Sequence, residues 1–448
     1  MPETENGPTP ACTPAGGDGE SLAALPQRFV WWNFAAITLD VACWMAGSAC
    51  VDPGAVLPVF VSTLTGSKLV VAALTVMPGV GWAALQLIGV SQVMHRPHKK
   101  GYLLKIAALG RAPMLVLPVL LLACAPSKAT MLWALVGCYA VLFLTDGLIG
   151  AAWYDIIAKT IPSGLRGRFF GTMNIVGALG ALAAGWVVKR VLASPHLPYP
   201  RQYGVLFACM CGGLLLSYLL LAMIREPAGP VCSPERQPVR QVLGQVPRVW
   251  RASPALRRLL YVSWLGSVAN LAWPFYVLYG MQALGLPTAA GAVFIWAAAG
   301  GSMAASLVWA GVNDRRGPRA VIVGVAALRA LPPLLALAIP ALAATFPGWA
   351  APGTGQYVYG LVFLFTGALA GGGMIGFSSY LLEVAPAPER PLYVGLGNTL
   401  AAPGLLAPVL GGWLVSVWSY QPVFLLAGAV GLATLTVSLG LEAAGEKR

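Results

Sequence analysis

Charge is scarce in this chain: only 10% of its 448 residues are Asp, Glu, Lys or Arg, against 58% hydrophobic residues, and the mean hydropathy is +0.75. A water-soluble domain needs more charge than this to cover its surface. Histidine is rarer still. The three present, His95, His98 and His196, all fall between the apolar runs. With no histidine at depth and neither HExxH nor GxSxG in the sequence, the residues for metal-assisted or serine-based hydrolysis are missing, and no enzyme activity is expected. There is no CxxC pair, which removes a zinc site or disulfide framework and leaves Cys43, Cys50, Cys124, Cys138, Cys209 and Cys211 as small fillers inside the runs. No run alternates in the manner of an outer-membrane barrel strand.

Long apolar runs are what the chain does have. Crossing a hydrocarbon core takes about 20 apolar residues as a helix. Twelve such stretches are expected, at 30–50, 68–93, 102–124, 130–156, 168–190, 202–224, 258–281, 289–312, 320–342, 356–382, 391–416 and 421–442. They are helical because lipid offers no partner to unpaired backbone groups. The expected fold is therefore an all-α membrane protein of twelve transmembrane helices, with almost no length left for a soluble catalytic domain.

The net charge of +13 could point to nucleic acid, but its placement argues otherwise. With the N-terminus inside, the inner connections carry Arg28, Arg96, Lys99, Lys100, Lys159, Arg166, Arg168, the arginines from Arg225 to Arg258, Arg315, Arg316, Arg319, Arg390, Lys447 and Arg448. The outer ones hold only Lys68, Lys128, Lys189, Arg190 and Arg201. That bias follows the positive-inside rule and places both termini in the cytoplasm, with no nucleic-acid partner. Residues 1–28 are polar, proline-rich and without a basic n-region, so they read as a disordered cytoplasmic tail. The Pro- and Arg-rich segment 225–257 reads as a cytoplasmic linker between 29–224 and 258–442, and 443–448 as a second tail.

The two large segments echo each other. Gly110-Arg111-Ala112-Pro113 in the third run matches Leu328-Arg329-Ala330-Leu331-Pro332 in the ninth. Asn174 matches Asn398, and Ala184-Gly185-Trp186 matches Gly411-Gly412-Trp413. The order is the same and each separation is near half the chain, which implies two pseudo-symmetric six-helix bundles. Such duplication suits a transporter, in which two bundles rock about a central site.

Asp314-Arg315-Arg316-Gly317-Pro318-Arg319, between runs eight and nine, resembles the DRxGRR signature of the major facilitator superfamily, with Pro318 in place of an Arg. The matching loop of the first half, Met94-His95-Arg96-Pro97-His98-Lys99-Lys100-Gly101, keeps the basic character without the Asp. Leu165-Arg166-Gly167-Arg168-Phe169-Phe170-Gly171 is similar to the RGR..G loop of that superfamily, and Arg390-Pro391-Leu392-Tyr393-Val394-Gly395 is its partner. The resemblance implies that Asp314, Arg315, Gly317 and Arg319, with Arg166, Arg168 and Arg390, form a cytoplasmic gate.

Ionisable residues deep in apolar runs are expensive and mark function by default. Asp40, Arg111, Asp146 and Arg329 lie at a shared depth, about 15 Å from the inner ends at 1.5 Å per residue. The resemblance implies that runs one, four, seven and ten line a central cavity. Asn33, Asp40, Trp44, Tyr139, Asp146, Asn270, Trp273, Tyr276, Thr366 and Phe377 are then the expected cavity residues. Pro274 and the run Gly371-Gly372-Gly373 are expected to loosen their helices there. A carboxylate in such a site suits proton coupling, carried by Asp40 or Asp146. Asp40 could instead be locked to Arg111 as a structural ion pair. Arg111 and Arg329 read as buried structural charges on peripheral runs.

The expected function is secondary active transport of a small solute by alternating access, coupled to protons. An uncoupled facilitator and a metal transporter are the near alternatives. An intramembrane enzyme or scramblase-like protein is the alternative from another class. No cofactor or resident metal is expected, the partners are a small-molecule solute, protons and membrane lipid, and the chain is expected to act as a monomer. Arginine in excess of lysine, with abundant alanine and glycine, points to the inner membrane of a GC-rich bacterium.

Overall fold

The computed structural model describes residues 27–442 apart from 94–95, 125, 163–164, 229–239, 241–243, 245, 347–352 and 385–389. Residues 1–26 of the expected N-terminal tail, the tail at 443–448 and much of the 225–257 linker lie outside these residues, while Gln27 and Arg28, expected in the tail, begin the first helix. Among the described residues there is no strand.

The first half begins with α1 (Gln27–Cys50), roughly 36 Å long at 1.5 Å per residue. A turn at Asp52-Pro53-Gly54 separates it from the short α2 (Leu57–Leu64). Then come α3 (Lys68–Ala84), α4 (Gln86–Val93) and α5 (Lys100–Arg111). After α5 the chain tightens into a 3-10 turn around Pro113, continues as α6 (Val116–Val119) and closes with a wide turn at Leu120–Cys124. The half ends with α7 (Lys128–Thr160), α8 (Arg166–Leu192) and α9 (Arg201–Met223). Ser67 and Ser127 cap α3 and α7 by accepting from Val70 N and Thr130 N, which satisfies one orphan donor at each start.

The second half opens with α10 (Val246–Ala252) and α11 (Pro254–Ala269). A 3-10 stretch over Asn270–Phe275, with Pro274 inside, leads into α12 (Tyr276–Leu284). It continues through α13 (Gly291–Leu328), α14 (Leu331–Thr345), α15 (Gly355–Val384) and α16 (Arg390–Ala401). A 3-10 turn at Ala402–Leu406 then precedes α17 (Ala407–Val417) and α18 (Tyr420–Leu439). Gly317 breaks α13 into two rods with φ 75° and ψ 171°, a region that a Cβ disfavours. The glycine of the DRRGPR segment thus makes the corner between two crossings.

Among the described residues ten helical segments, rather than the expected twelve, are long and apolar enough to cross a membrane. The two that fall short are the expected second and seventh runs. The second is interrupted at Leu85, between α3 and α4, and the seventh by the 3-10 stretch at Pro274. Pro274 therefore loosens its helix as expected. The Gly371-Gly372-Gly373 run does not, because α15 runs unbroken through it. Its glycines instead admit close neighbours: a Cβ on Gly371 would meet Ser302 and Ser306, and one on Gly372 would meet Trp309 and Val325. Gly301 and Gly367 likewise bring the α13 and α15 backbones together, and Gly81 and Gly147 do so for α3 and α7.

The outside of the bundle is apolar, with Trp133, Leu215, Leu307 and Leu425 all more than half exposed. Lipid is the solvent that such a surface requires, and the chain is an integral, multi-pass membrane protein. The end of the bundle holding Gln27 and Leu439 is called the near end here, and the opposite end the far end.

At the far end one apolar core crosses both halves, from Phe60, Tyr139 and Phe207 to Phe275, Phe294 and Phe424. At the near end the described residues form separate cores. Ile37, Leu103, Ile156 and Phe169 belong to the first half, and Leu260, Tyr380, Leu381 and Tyr393 to the second. The seams between halves sit accordingly. Gly412 packs on Lys68 and Ala72, and Trp296 on Gly185. The Trp296 indole N–H donates to the Leu182 carbonyl at 2.8 Å.

Candidate functional site

Two carboxylates and one guanidinium gather inside the first half. Asp40 on α1 and Asp146 on α7 are 4% and 7% exposed. Arg111 Nη2 donates to Ser217 Oγ at 3.2 Å, and that hydroxyl donates to Asp40 Oδ1 at 2.6 Å. The two charges are joined through a serine of α9 rather than as a direct ion pair. Arg111 also lies over the Trp44 ring, 5.4 Å from its centroid, and its Nε and Nη1 have no hydrogen-bond partner among the described residues. Asp146 lies within electrostatic reach of both Arg111 and Asp40. It accepts no hydrogen bond among the described residues. With every group ionised the cluster carries one negative charge too many, which in a low-dielectric interior favours taking up a cation or proton.

Arg329, the counterpart of Arg111 in the sequence echo, behaves differently. Its Nη1 donates to the Gly266 carbonyl of α11, and its Nε has no hydrogen-bond partner among the described residues. Serine did not stand out in the sequence, so the bridge through Ser217 was not foreseen. Its position on the buried face of α9 was the only signal available.

The other expected cavity residues scatter. Asn270 and Trp273 both line a cavity of about 190 Å³ between the halves, walled by Pro53 beyond α1, Thr75 on α3 and Leu405 before α17. This cavity lies at mid-depth beneath the far-end seam, where Gly54 rests against the Trp273 indole. Tyr139 and Tyr276 are buried in the far-end core, and Trp44 meets Phe143 edge-on at 6.5 Å. Thr366 donates back to the Val362 carbonyl of its own helix, and Phe377 packs against the near-end core of the second half. Asn33 is completely buried at the near end. Its Nδ2 donates to the Arg225 carbonyl at 3.0 Å and its Oδ1 accepts from Arg225 N at 2.8 Å, which ties α1 to the exit of α9.

Of the expected gate, Gly317 makes the corner already described and Arg315 is exposed. Arg319 donates to the Leu439 carbonyl at 3.0 Å. Asp314, Arg166, Arg168 and Arg390 sit at helix ends around the same level, but their side chains lie outside the described part of the structure.

A second near-end network was not foreseen. Glu226 accepts from Lys99 N at 2.8 and 2.9 Å and from Lys100 N at 2.8 Å, capping the start of α5. Lys159 reaches Glu226 at 3.2 Å and Asp155 at 2.7 Å, and Lys99 reaches the same Asp155 oxygen at 2.7 Å. Three of these residues read as topological charges in the sequence. In the fold they bind α5, α7 and the end of α9 into one block.

Asp52 was also missed, because it stands two residues beyond the first apolar span and reads as loop. It is half-buried in the turn between α1 and α2, and its Oδ1 accepts from Gly54 N at 2.8 Å. Loss of hydration raises its carboxyl to about 6, and the turn's backbone N–H groups offset part of that. A carboxyl raised above its unfolded value of 3.8 binds its proton more readily in the native state. Native stability therefore falls as pH rises through the window from about 4 to about 6 and stays lower above it. The difference corresponds to about 3 kcal/mol before relaxation. Asp52→Asn is expected to raise the thermal midpoint at pH 8, with the gain shrinking to nothing as the pH approaches 4. A pH-independent gain, or a loss at pH 8, counts against this account of the turn.

No protein-family model matches the sequence. It is 25% identical over 325 residues to an uncharacterized protein of Mycobacterium bovis and to one in each of two strains of Mycobacterium tuberculosis, covering 69% of this chain. The chain spans only 60% of the length of those curated relatives. Solved structures align over nearly all of it. A nucleoside transporter matches with a TM-score of 0.66 at 15% identity, covering 92% of this chain and 100% of the other. A POT family transporter bound to 5-aminolevulinic acid matches at 0.65 and 13%, covering 92% and 95%. A D-xylose-proton symporter matches at 0.64 and 14%, covering 93% and 99%. All three are transporters, and at these identities the likeness is one of fold: the helices described above are arranged as in those three structures.

Proposed function

We propose that this chain carries a small solute across the membrane by alternating access, driven by protons. One observation carries the reading: the two halves share a single apolar core at the far end and keep separate cores at the near end, with a cavity at mid-depth between them. Two packed bodies that share a core at one end, and at the other only touch through α4 and α16, can exchange which end is tightly joined. The interrupted second and seventh runs count as crossings in this reading, giving twelve in two pseudo-symmetric bundles. Both termini lie in the cytoplasm, the near end faces it, and the membrane is a bacterial inner membrane. The protein acts as a monomer.

Coupling is favoured over simple facilitation by the excess carboxylate in the Asp40, Asp146 and Arg111 cluster. The proton is assigned to Asp146, since Asp40 is already engaged by Ser217. Metal transport is disfavoured because, among the described residues, no three metal-ligating side chains come together.

The test uses purified protein in sealed vesicles with an imposed pH gradient and a panel of labelled sugars, amino acids, nucleosides and organic acids. Accumulation of one class above its external concentration is expected, and Asp146→Asn should abolish accumulation while leaving exchange intact. Exchange of nothing on the panel, with labelled halves fixed at one distance, would remove the transport reading. Accumulation that survives Asp146→Asn would remove the proton assignment.

A further inference from the structure

The cavity between the halves differs in chemistry from the charged cluster. Among the described residues, none that lines it is ionisable. Most of its wall is apolar: Pro53 and Val76 from the first half face Leu405 and Pro408 from the second. The polar groups in it are few and unequal. Thr75 has spent its hydroxyl on the Val71 carbonyl at 2.8 Å. The Asn270 side chain is exposed to the cavity and, like the Trp273 indole N–H and the Ser267 hydroxyl, forms no hydrogen bond among the described residues. The wall therefore offers N–H and O–H donors from three residues, a carbonyl acceptor from Asn270, and the flat surface of an indole.

An ionised solute moved from water into this space would lose hydration with no counter-charge on the wall to replace it. The nearest carboxyl, Asp52, sits behind Gly54 and is turned back onto that residue's N–H. A planar neutral group that both accepts and donates hydrogen bonds meets every free partner the wall presents. We infer that this cavity binds an uncharged, planar, carboxamide-like solute, with the amide set between Asn270, Ser267 and Trp273 and the ring against apolar wall. The inference rests on the transport reading for its biological use, but the binding site it names can be tested alone.

Three probes of nearly the same shape differ in charge and in hydrogen-bonding capacity: benzamide is neutral and both donates and accepts, benzoate is an anion that only accepts, and benzamidinium is a cation that only donates. Titration calorimetry of the full chain in lipid nanodiscs should show benzamide binding at least about tenfold more tightly than either ion, a difference of about 1.4 kcal/mol. Asn270→Asp changes one atom at an exposed wall position and keeps the fold, so it should reverse the order in favour of benzamidinium. Trp273→Leu should weaken benzamide, and Asp52→Asn should leave it unchanged. Equal or tighter binding of either ion to the unaltered protein overturns the inference, as does the absence of benzamide binding at millimolar concentration. An order that Asn270→Asp does not alter overturns it as well. If benzamide binds with this selectivity but is neither carried into vesicles nor able to change the distance between labelled halves, the site stands and the transport reading fails. If another solute is transported while benzamide fails to bind, the transport reading stands and the site fails.

Discussion

Glu226→Ala is expected to lower the thermal midpoint more than any other single substitution at the near end. The side chain is 2% exposed and accepts from two backbone N–H groups and from Lys159. Removing it strands two backbone donors at once and takes one carboxylate from Lys159, which keeps Asp155 and the Pro97 carbonyl. The N–H groups of Lys99 and Lys100 open α5 and have no carbonyl one turn earlier to bond. Lys159, 9% exposed, keeps Asp155, but then two lysines share that one carboxylate. Each backbone donor left buried and unsatisfied costs about 1–3 kcal/mol, and the weakened compensation of Lys159 adds to that. Glu226→Gln keeps one acceptor oxygen for the α5 amides and should fall between wild type and alanine. The exposed pair Arg258–Glu442, at 45% and 59% exposure, is the contrast: Arg258→Ala should cost less than about 1 kcal/mol. Thermal unfolding of the three variants in one detergent decides the matter. A Glu226→Ala midpoint no lower than that of Arg258→Ala would show that the network is ornamental.

The sequence made some of these features legible and hid others for definite reasons. Helical rise is fixed, so counting residues from the ends of apolar runs was enough to place Asp40, Arg111 and Asp146 at one depth. Composition was enough for the membrane, because few other environments tolerate so little charge. The Lys99, Asp155, Lys159 and Glu226 network could not be found in this way. Its members come from a loop, one end of a helix and the first residues of a linker, and no spacing rule connects them.

Asn33 shows the opposite failure. Helical periodicity put it on the same stripe as Asp40, and the stripe is real, but near its end the face turns toward Arg225 instead of the cavity. Asp52 was hidden by the boundary of the apolar run, since a polar turn after a span normally reaches water, whereas this one folds back into the seam between halves. The break at Pro274 could be read from its residue type. The break at Leu85 could not, because Pro78 lies well inside α3 and the chain stays helical past it.

Arg111→Met is expected to be the most damaging change within the apolar core, and its rescue separates structure from transport. The substitution keeps a long apolar side chain beside Trp44 but removes the cation that Asp40 and Asp146 share. Two buried carboxylates without a cation should destabilise the protein by about 3–5 kcal/mol. If charge imbalance is the cause, adding Asp40→Asn should recover most of the loss, since asparagine can still accept from Ser217 and the cluster again carries a single net negative charge. The coupling energy of such a pair is measured by the double-mutant cycle Asp40→Asn, Arg111→Met and both together. Transport then distinguishes the two carboxylates. With the proton on Asp146, the rescued double variant should still accumulate solute under a pH gradient, and adding Asp146→Asn should reduce it to passive exchange. A double variant that regains wild-type stability but only equilibrates solute would move the proton to Asp40. Additive losses, with no rescue, would mean that the guanidinium acts through Trp44 and helix packing instead of by balancing charge.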